Sequence, residues 1–283
     1  MVLKPDHPRY KILDSYLEIM ESLRWGFNDL GFPCTVRKNA YEHGAINILF
    51  GWMLQVAMGY IDELPANSIL FNLEQYSTID LRGRYVPTVA AERFQIWDYS
   101  LANIPRWQEL NPKYPPYYAR VSYSPTLSRI PYRQNEDIDI VYIGSLDPRR
   151  SRSLIASCDS MNRNSLVSLS SVWGAQRDEF ISRAKLLLNI SNGDSQFNIF
   201  EIVRVSYYLA NKKAVVCELP DEFDINIEED MRRVLRMVPM REFGAVCDEL
   251  VHDHVARKIY AEECYEVFRQ RDVRQVIKEF FGD

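Results

Sequence analysis

Apolar side chains fall at 13, 16, 17, 20, 23, 27 and 30, a spacing that predicts a helix closed by Gly31. Beyond it the pattern changes to short apolar runs that end in polar residues. "CTVRK" (34–38) and "AINILFG" (45–51) read as strands. So do "SILFNLEQ" (68–75), "RFQIWDYS" (93–100) and "YARVSYSP" (118–125), with a helix predicted from Leu101. Strands alternating with helices predict a parallel sheet covered on both faces.

Between Asn111 and Gln134 the text turns proline- and tyrosine-rich, the composition of a linker. Alternation then restarts. "DIVYIGS" is a strand, 148–162 a helix, "SLVSLSSV" a strand and 175–184 a helix. "KLLLNIS" is a strand, 196–210 a helix and "KKAVVCE" a strand. A mostly helical acidic tail follows, with an apolar stripe at Val255, Ile259, Val267, Phe268, Val276, Ile277, Phe280 and Phe281. The expected architecture is two β/α domains, 1–125 and 126–283, facing a cleft.

Composition narrows this picture only slightly. At 47% hydrophobic and 26% charged the 283-residue chain is of ordinary globular type. Its five scattered cysteines form no CxxC pair and fit a reducing, cytoplasmic setting. No signal peptide is expected, since "MVLKPDHPRYK" has no apolar run, and no membrane span, since "AINILFGWMLQVAMGYI" is broken by polar residues and glycines. Charge is more informative. Residues 141–213 hold ten Lys/Arg against six Asp/Glu, whereas 214–283 hold ten against seventeen. A basic island on a chain of net charge −5 suits a small anionic ligand better than a polyanion.

The island begins at "VYIGSLDPRRSRSLIAS" (141–157), an apolar run that stops at Gly144 and Ser145 before Arg149, Arg150 and Arg152. Open α/β sheets bind ligands beyond the carboxyl ends of their strands. Those ends carry Gly144, Ser145, Arg149 and Arg150, then Asn192, Gly193 and Asp194, then Glu201 and Arg204 on the next helix. Glycine lets backbone N–H groups approach a diphosphate, and a helix N-terminus adds partial positive charge. Arginine offers forked donors to phosphate, and a carboxylate can grip a ribose diol. Together these residues would hold a nucleoside diphosphate. The Asp-x-Asp pattern at 137–139 precedes its strand, and His252 and His254 would point about 200° apart on a helix, so neither is assigned a metal.

"YIGSLDPRRSRSL", "LLLNIS" and "FEIVRVSYYLANKKAVVCE" together resemble the donor half of GT-B glycosyltransferases, in particular the CgeB-like bacterial and phage members. "ILFNLEQ" and "IWDYSLANI" resemble the same group's first half. The resemblance implies two Rossmann-like domains, with a final helix near 270–281 packing back on the first. It implies transfer of a sugar from a nucleotide diphosphate sugar to a glycan, lipid-linked or other hydroxyl acceptor, without a cofactor or metal. Donor contacts then fall to Gly144, Ser145, Arg149, Arg150, Asn192, Glu201 and Arg204. Retaining members of the wider group carry two glutamates eight apart. Here Gly193 and Leu209 stand at those distances from Glu201, which favours inversion. The acceptor base is expected among Glu74, His43 and Asp98, in that order. Two rival readings remain: transfer to modified bases in DNA, and a nucleotide-sugar binder or scaffold with no catalysis. Fourteen Lys/Arg against fourteen Asp/Glu over 1–136 weigh against the DNA reading.

Overall fold

The computed structural model describes residues 14–38, 40–57, 59–77, 85–160, 164–191, 198–221 and 224–282. The chain divides into two compact units, one of Met1–Val121 with Val273–Asp283 and one of Ser122–Asp272.

In the first unit α1 (Leu17–Asp29) precedes β1 (Asn47–Leu49), α2 (Met53–Ala57) and β2 (Ser68–Asn72). Then come α3 (Tyr85–Arg93), β3 (Gln95–Asp98), α4 (Ile104–Gln108) and β4 (Tyr117–Tyr118). The four strands pair in parallel in the order β1-β2-β3-β4. All five residues of β2 are buried, as a parallel strand covered on both faces requires. Trp52, Val56, Leu70, Phe94, Ile96 and Trp107 form one apolar cluster around it. Each such side chain contributes roughly 1.5–3 kcal/mol by leaving water.

The segment 34–38, expected as a strand, is irregular. The Asn28 side chain accepts from the Cys34 N–H at 3.1 Å and donates to its carbonyl at 2.9 Å, taking both backbone groups a ladder would need. The strand expected at 118–125 is likewise reduced to Tyr117–Tyr118.

The second unit runs β5 (Ile138–Ile143), α5 (Pro148–Ser160), β6 (Leu166–Leu169), α6 (Gly174–Arg183), β7 (Ala184–Asn189) and α7 (Ile202–Ala210). It continues through β8 (Ala214–Glu218), α8 (Glu229–Val234), β9 (Arg236–Val238), α9 (Met240–His252) and α10 (His254–Arg269). Its five strands are parallel in the order β6-β5-β7-β8-β9. The first strand in sequence therefore lies inside the sheet. Its order reverses beside it, which makes the carboxyl ends of β5 and β7 the place for a ligand.

The last helix, α11 (Val273–Phe281), belongs to the first unit and packs on α1. Gly26 makes this contact close: a Cβ there would lie 2.8 Å from both Val273 and Ile277. The tail is thus not one stripe. Val276 and Ile277 are buried in the first unit and Phe268 in the second, while Val255 and Ile259 face solvent. The helix also breaks between His252 and His254, because the Asp253 side chain accepts from Ala256 N at 2.9 Å and starts α10. Among the described residues, no helix is long and apolar enough to cross a membrane.

Candidate functional site

In the second unit β5 stops where a side chain will not fit. A Cβ on Gly144 would lie 2.6 Å from the Tyr142 hydroxyl, which donates to the Ser145 carbonyl at 3.2 Å. Burial pushes the Tyr142 hydroxyl pKa up, against the pull of Arg204 and Arg150. Pro148 then opens α5, a position where its missing N–H costs nothing. The carboxylate of Asp147 caps this helix, accepting from Arg150 N at 2.8 Å. The helix N-terminus expected to face phosphate therefore already holds a negative side chain.

Beyond the strand ends the charged residues converge. Arg150 is 5% exposed and donates to the Ile190 carbonyl at 3.3 Å, Ser145 Oγ at 3.0 Å and Glu201 Oε1 at 2.7 Å. Arg204 donates to Glu201 Oε2 at 2.9 Å and Asn189 Oδ1 at 3.3 Å. Burial works against the Arg204 charge, but Glu201 outweighs it and the guanidinium pKa rises. Glu201 stands at the cap position of α7 yet makes no cap hydrogen bond, so both its oxygens face the two arginines.

Arg149 has a different partner. It forks onto Glu218, at 2.7 Å from Oε2 and with a second close bond to Oε1, and also donates to the Ser191 carbonyl at 3.1 Å. Glu218, only 2% exposed, ends β8 and takes a further bond from Ser191 N at 3.0 Å. Arg152 is exposed. Six of the seven expected donor residues thus lie just after β5, in the first turn of α5 or at the start of α7, and the seventh, Asn192, lies outside the described residues. Sequence reading missed Asp147 and Glu218, although Glu218 closes the apolar run "KKAVVCE" as the other strand-end polar residues close theirs.

The first unit gathers polar groups at the ends of β2 and β3, where Asn72 and Asp98 are paired neighbours. Asp98 is fully buried. It accepts from Asn72 Nδ2 at 2.6 Å, Trp107 Nε1 at 2.7 Å, Ser100 N at 2.8 Å and Asn103 Nδ2 at 3.0 Å. Burial pushes its carboxyl pKa up to about 7, while those four donors pull the other way. Asn103 stands at the cap position of the following helix. The two asparagines also hold Glu74, whose carbonyl accepts from Asn72 at 2.7 Å and Asn103 at 3.1 Å, and whose N–H donates to Asn72 at 3.1 Å. The Glu74 carboxylate is half-buried and accepts from the Tyr16 hydroxyl. His43 is exposed, beside Gly44 at φ 80°, and takes no part in this network.

The fold is similar to that of known structures. HepE of Anabaena, crystallised with UDP and glucose, matches at a TM-score of 0.61 and 11% identity over 98% of this chain and 96% of that one. The fold is GT-B. AviGT4, a glycosyltransferase of avilamycin A biosynthesis, matches at 0.54 and 11% identity over 93% and 86% of the two chains. Two uncharacterized proteins of Acanthamoeba polyphaga mimivirus are related in sequence, 29% identical over 169 residues and 27% over 157. These matches span 57% and 54% of this chain but only 52% and 21% of the viral proteins. No protein-family model matches the chain. In GT-B terms the Gly144–Glu201–Arg204 end belongs to the second Rossmann-like unit and the Asp98–Glu74 network to the first.

Proposed function

We propose that the chain is a glycosyltransferase that moves a sugar from a nucleoside diphosphate sugar to an acceptor hydroxyl, with inversion and without a metal. The cluster of Arg150, Glu201 and Arg204 at the strand ends carries this reading. Glu201 is a counter-ion that a ligand can exchange. When its oxygens turn to the 2′- and 3′-hydroxyls of a ribose, Arg150 and Arg204 are released to a diphosphate. The bond between anomeric carbon and phosphate oxygen breaks as the acceptor oxygen attacks. Two guanidinium groups then offset the charge that develops on the departing diphosphate.

Glu74 is the proposed base that receives the acceptor proton. Asp98 acts behind it as a positioning residue, through the asparagines that hold the Glu74 backbone. His43 is the second choice of base, on its exposure beside a glycine turn. Inversion is favoured because the position eight after Glu201 is Leu209, which is fully buried. Since HepE was crystallised with UDP-glucose as well, UDP sugars head the list of donors. The acceptor is a glycan, lipid-linked or other hydroxyl, as the resemblance implies. The test is a thermal-shift screen of UDP, GDP, ADP, CMP and dTDP, followed by an assay of sugar nucleotide turnover. Stabilisation by one nucleoside diphosphate and release of that diphosphate from its sugar are expected. A chain that no nucleotide stabilises is not this enzyme.

A further inference from the structure

A second cavity opens in the same unit, at the opposite end of the sheet. Glu136, Lys185 and Lys213 line it where β5, β7 and β8 begin, and Arg257 and Lys258 of α10 and Tyr132 close it, around about 350 Å³. That volume lies at the lower end of the range for small-molecule pockets. Five cations line the wall, Lys212 being the fifth, against two carboxylates, Glu136 and Glu262.

The pairing leaves charge over. Glu136 is shared between Lys213 at 2.7 Å and Arg257 at 3.3 Å, both nearly buried. Glu262 takes Lys212 at 2.8 Å, and Asp139 takes Lys185 at 2.6 Å. Lys258 sits 3.9 Å above the ring of Tyr132 and has no carboxylate partner among the described residues. The wall therefore carries two more positive charges than paired carboxylates, one on Lys258 and one left over in the nearly buried Lys213–Arg257–Glu136 group, beside an aromatic ring. Lys213 and Arg257 bind carbonyls at the ends of α6 and α9, which accounts for their burial. It does not account for Lys258.

We propose that this cavity is a second ligand site, for a sugar-sized ring that carries an acid group, a carboxylate or a phosphate. The acid group would sit between Lys258 and the Lys213–Arg257 pair, and the ring against Tyr132, which is 70% exposed. This inference does not rest on the nucleotide reading, whose residues lie at the other end of the strands.

Calorimetric titration with glucose 6-phosphate, glucuronate, inorganic phosphate and glucose tests it. One or both acidic sugars should bind and glucose should not. Lys258→Glu should weaken that binding by about tenfold or more, the loss of one charge-assisted contact. Tyr132→Ala, an exposed change that leaves the fold intact, should weaken the acidic sugars but not phosphate. Glu201→Gln should leave the acidic sugars unaffected. The proposal is overturned if neither acidic sugar binds, if phosphate binds as tightly as the better acidic sugar, or if Glu201→Gln abolishes the binding.

Discussion

Two residues carry most of what the strand ends can do, and they act in opposite ways. Glu201 is half-buried and shared by two arginines that a ligand can take over. Glu201→Gln keeps an acceptor oxygen but loses the charge. A nucleoside diphosphate should then bind about tenfold more weakly, because a charge-assisted contact worth roughly 1.5–3 kcal/mol to the ribose is lost. Inorganic pyrophosphate, which has no ribose, should bind as well as before or better, since the arginines are no longer neutralised. Calorimetry with both ligands separates the two effects, and equal weakening of both would remove Glu201 from the ribose. Asp98, by contrast, faces four donors and no solvent. Asp98→Asn keeps the shape of the side chain and cannot titrate, so it is the pH-independent reference for Asp98. The pH dependence has a definite sign. With a folded pKa near 7 against an ordinary 3.8, the folded state holds the extra proton between those values. The contribution of Asp98 to stability is therefore complete below about pH 4 and lost as pH rises to about 7. Urea unfolding of both proteins should show the parent losing stability relative to Asp98→Asn as pH rises from about 4 to about 7; a constant difference would mean that Asp98 is ionised throughout.

At the scale of elements, α5 is held in place by a side chain expected to touch ligand. Arg149 reaches from its first turn to Glu218 at the end of β8 and to the carbonyl of Ser191 after β7. Glu218 is almost wholly enclosed, so Arg149→Ala would strand a buried carboxylate. Losing one partner of a buried ion pair costs about 3–5 kcal/mol. Arg152, one turn along and exposed, has no ion pair among the described residues, and Arg152→Ala should change stability by less than about 0.5 kcal/mol. Thermal unfolding of the two variants gives the comparison. If Arg149→Ala were as stable as the parent but lost nucleotide affinity, Arg149 would return to the ligand and Glu218 would need another partner.

Across the whole molecule, what could be read from sequence was what is local. The carboxyl ends of the strands announce themselves, because an apolar run such as "VYIGS" meets polar residues where the sheet stops. Glu201 and Arg204, three apart, meet as their spacing implies. Arg150 and Glu201 are separated by 51 residues, and Arg149 and Glu218 by 69. Those pairs exist only because β7 lies beside β5 and β8 beside β7, an order that periodicity does not encode. The segment 34–38 was misread for a similar reason, since nothing in its alternation reveals that Asn28 takes its backbone. The same long-range pairing bears on the metal question. Asp137 and Asp139, the two aspartates of the Asp-x-Asp pattern, lie where β5 begins, the end of the sheet away from Gly144. Arg183 holds Asp137, and Lys185 holds Asp139 at 2.6 Å. Both carboxyl pKa values fall: for Asp137 through its bond to Arg183, and for Asp139 through Lys185 and Ser165 despite the cost of burial. Diphosphate charge would then be met at the far end by Arg150 and Arg204. EDTA should accordingly leave turnover of the sugar nucleotide within about twofold of the untreated rate, where an enzyme that relies on a metal for charge stabilisation loses nearly all of it. Loss of activity in EDTA with recovery on adding manganese would show that a cation, not the arginines, stabilises the leaving diphosphate.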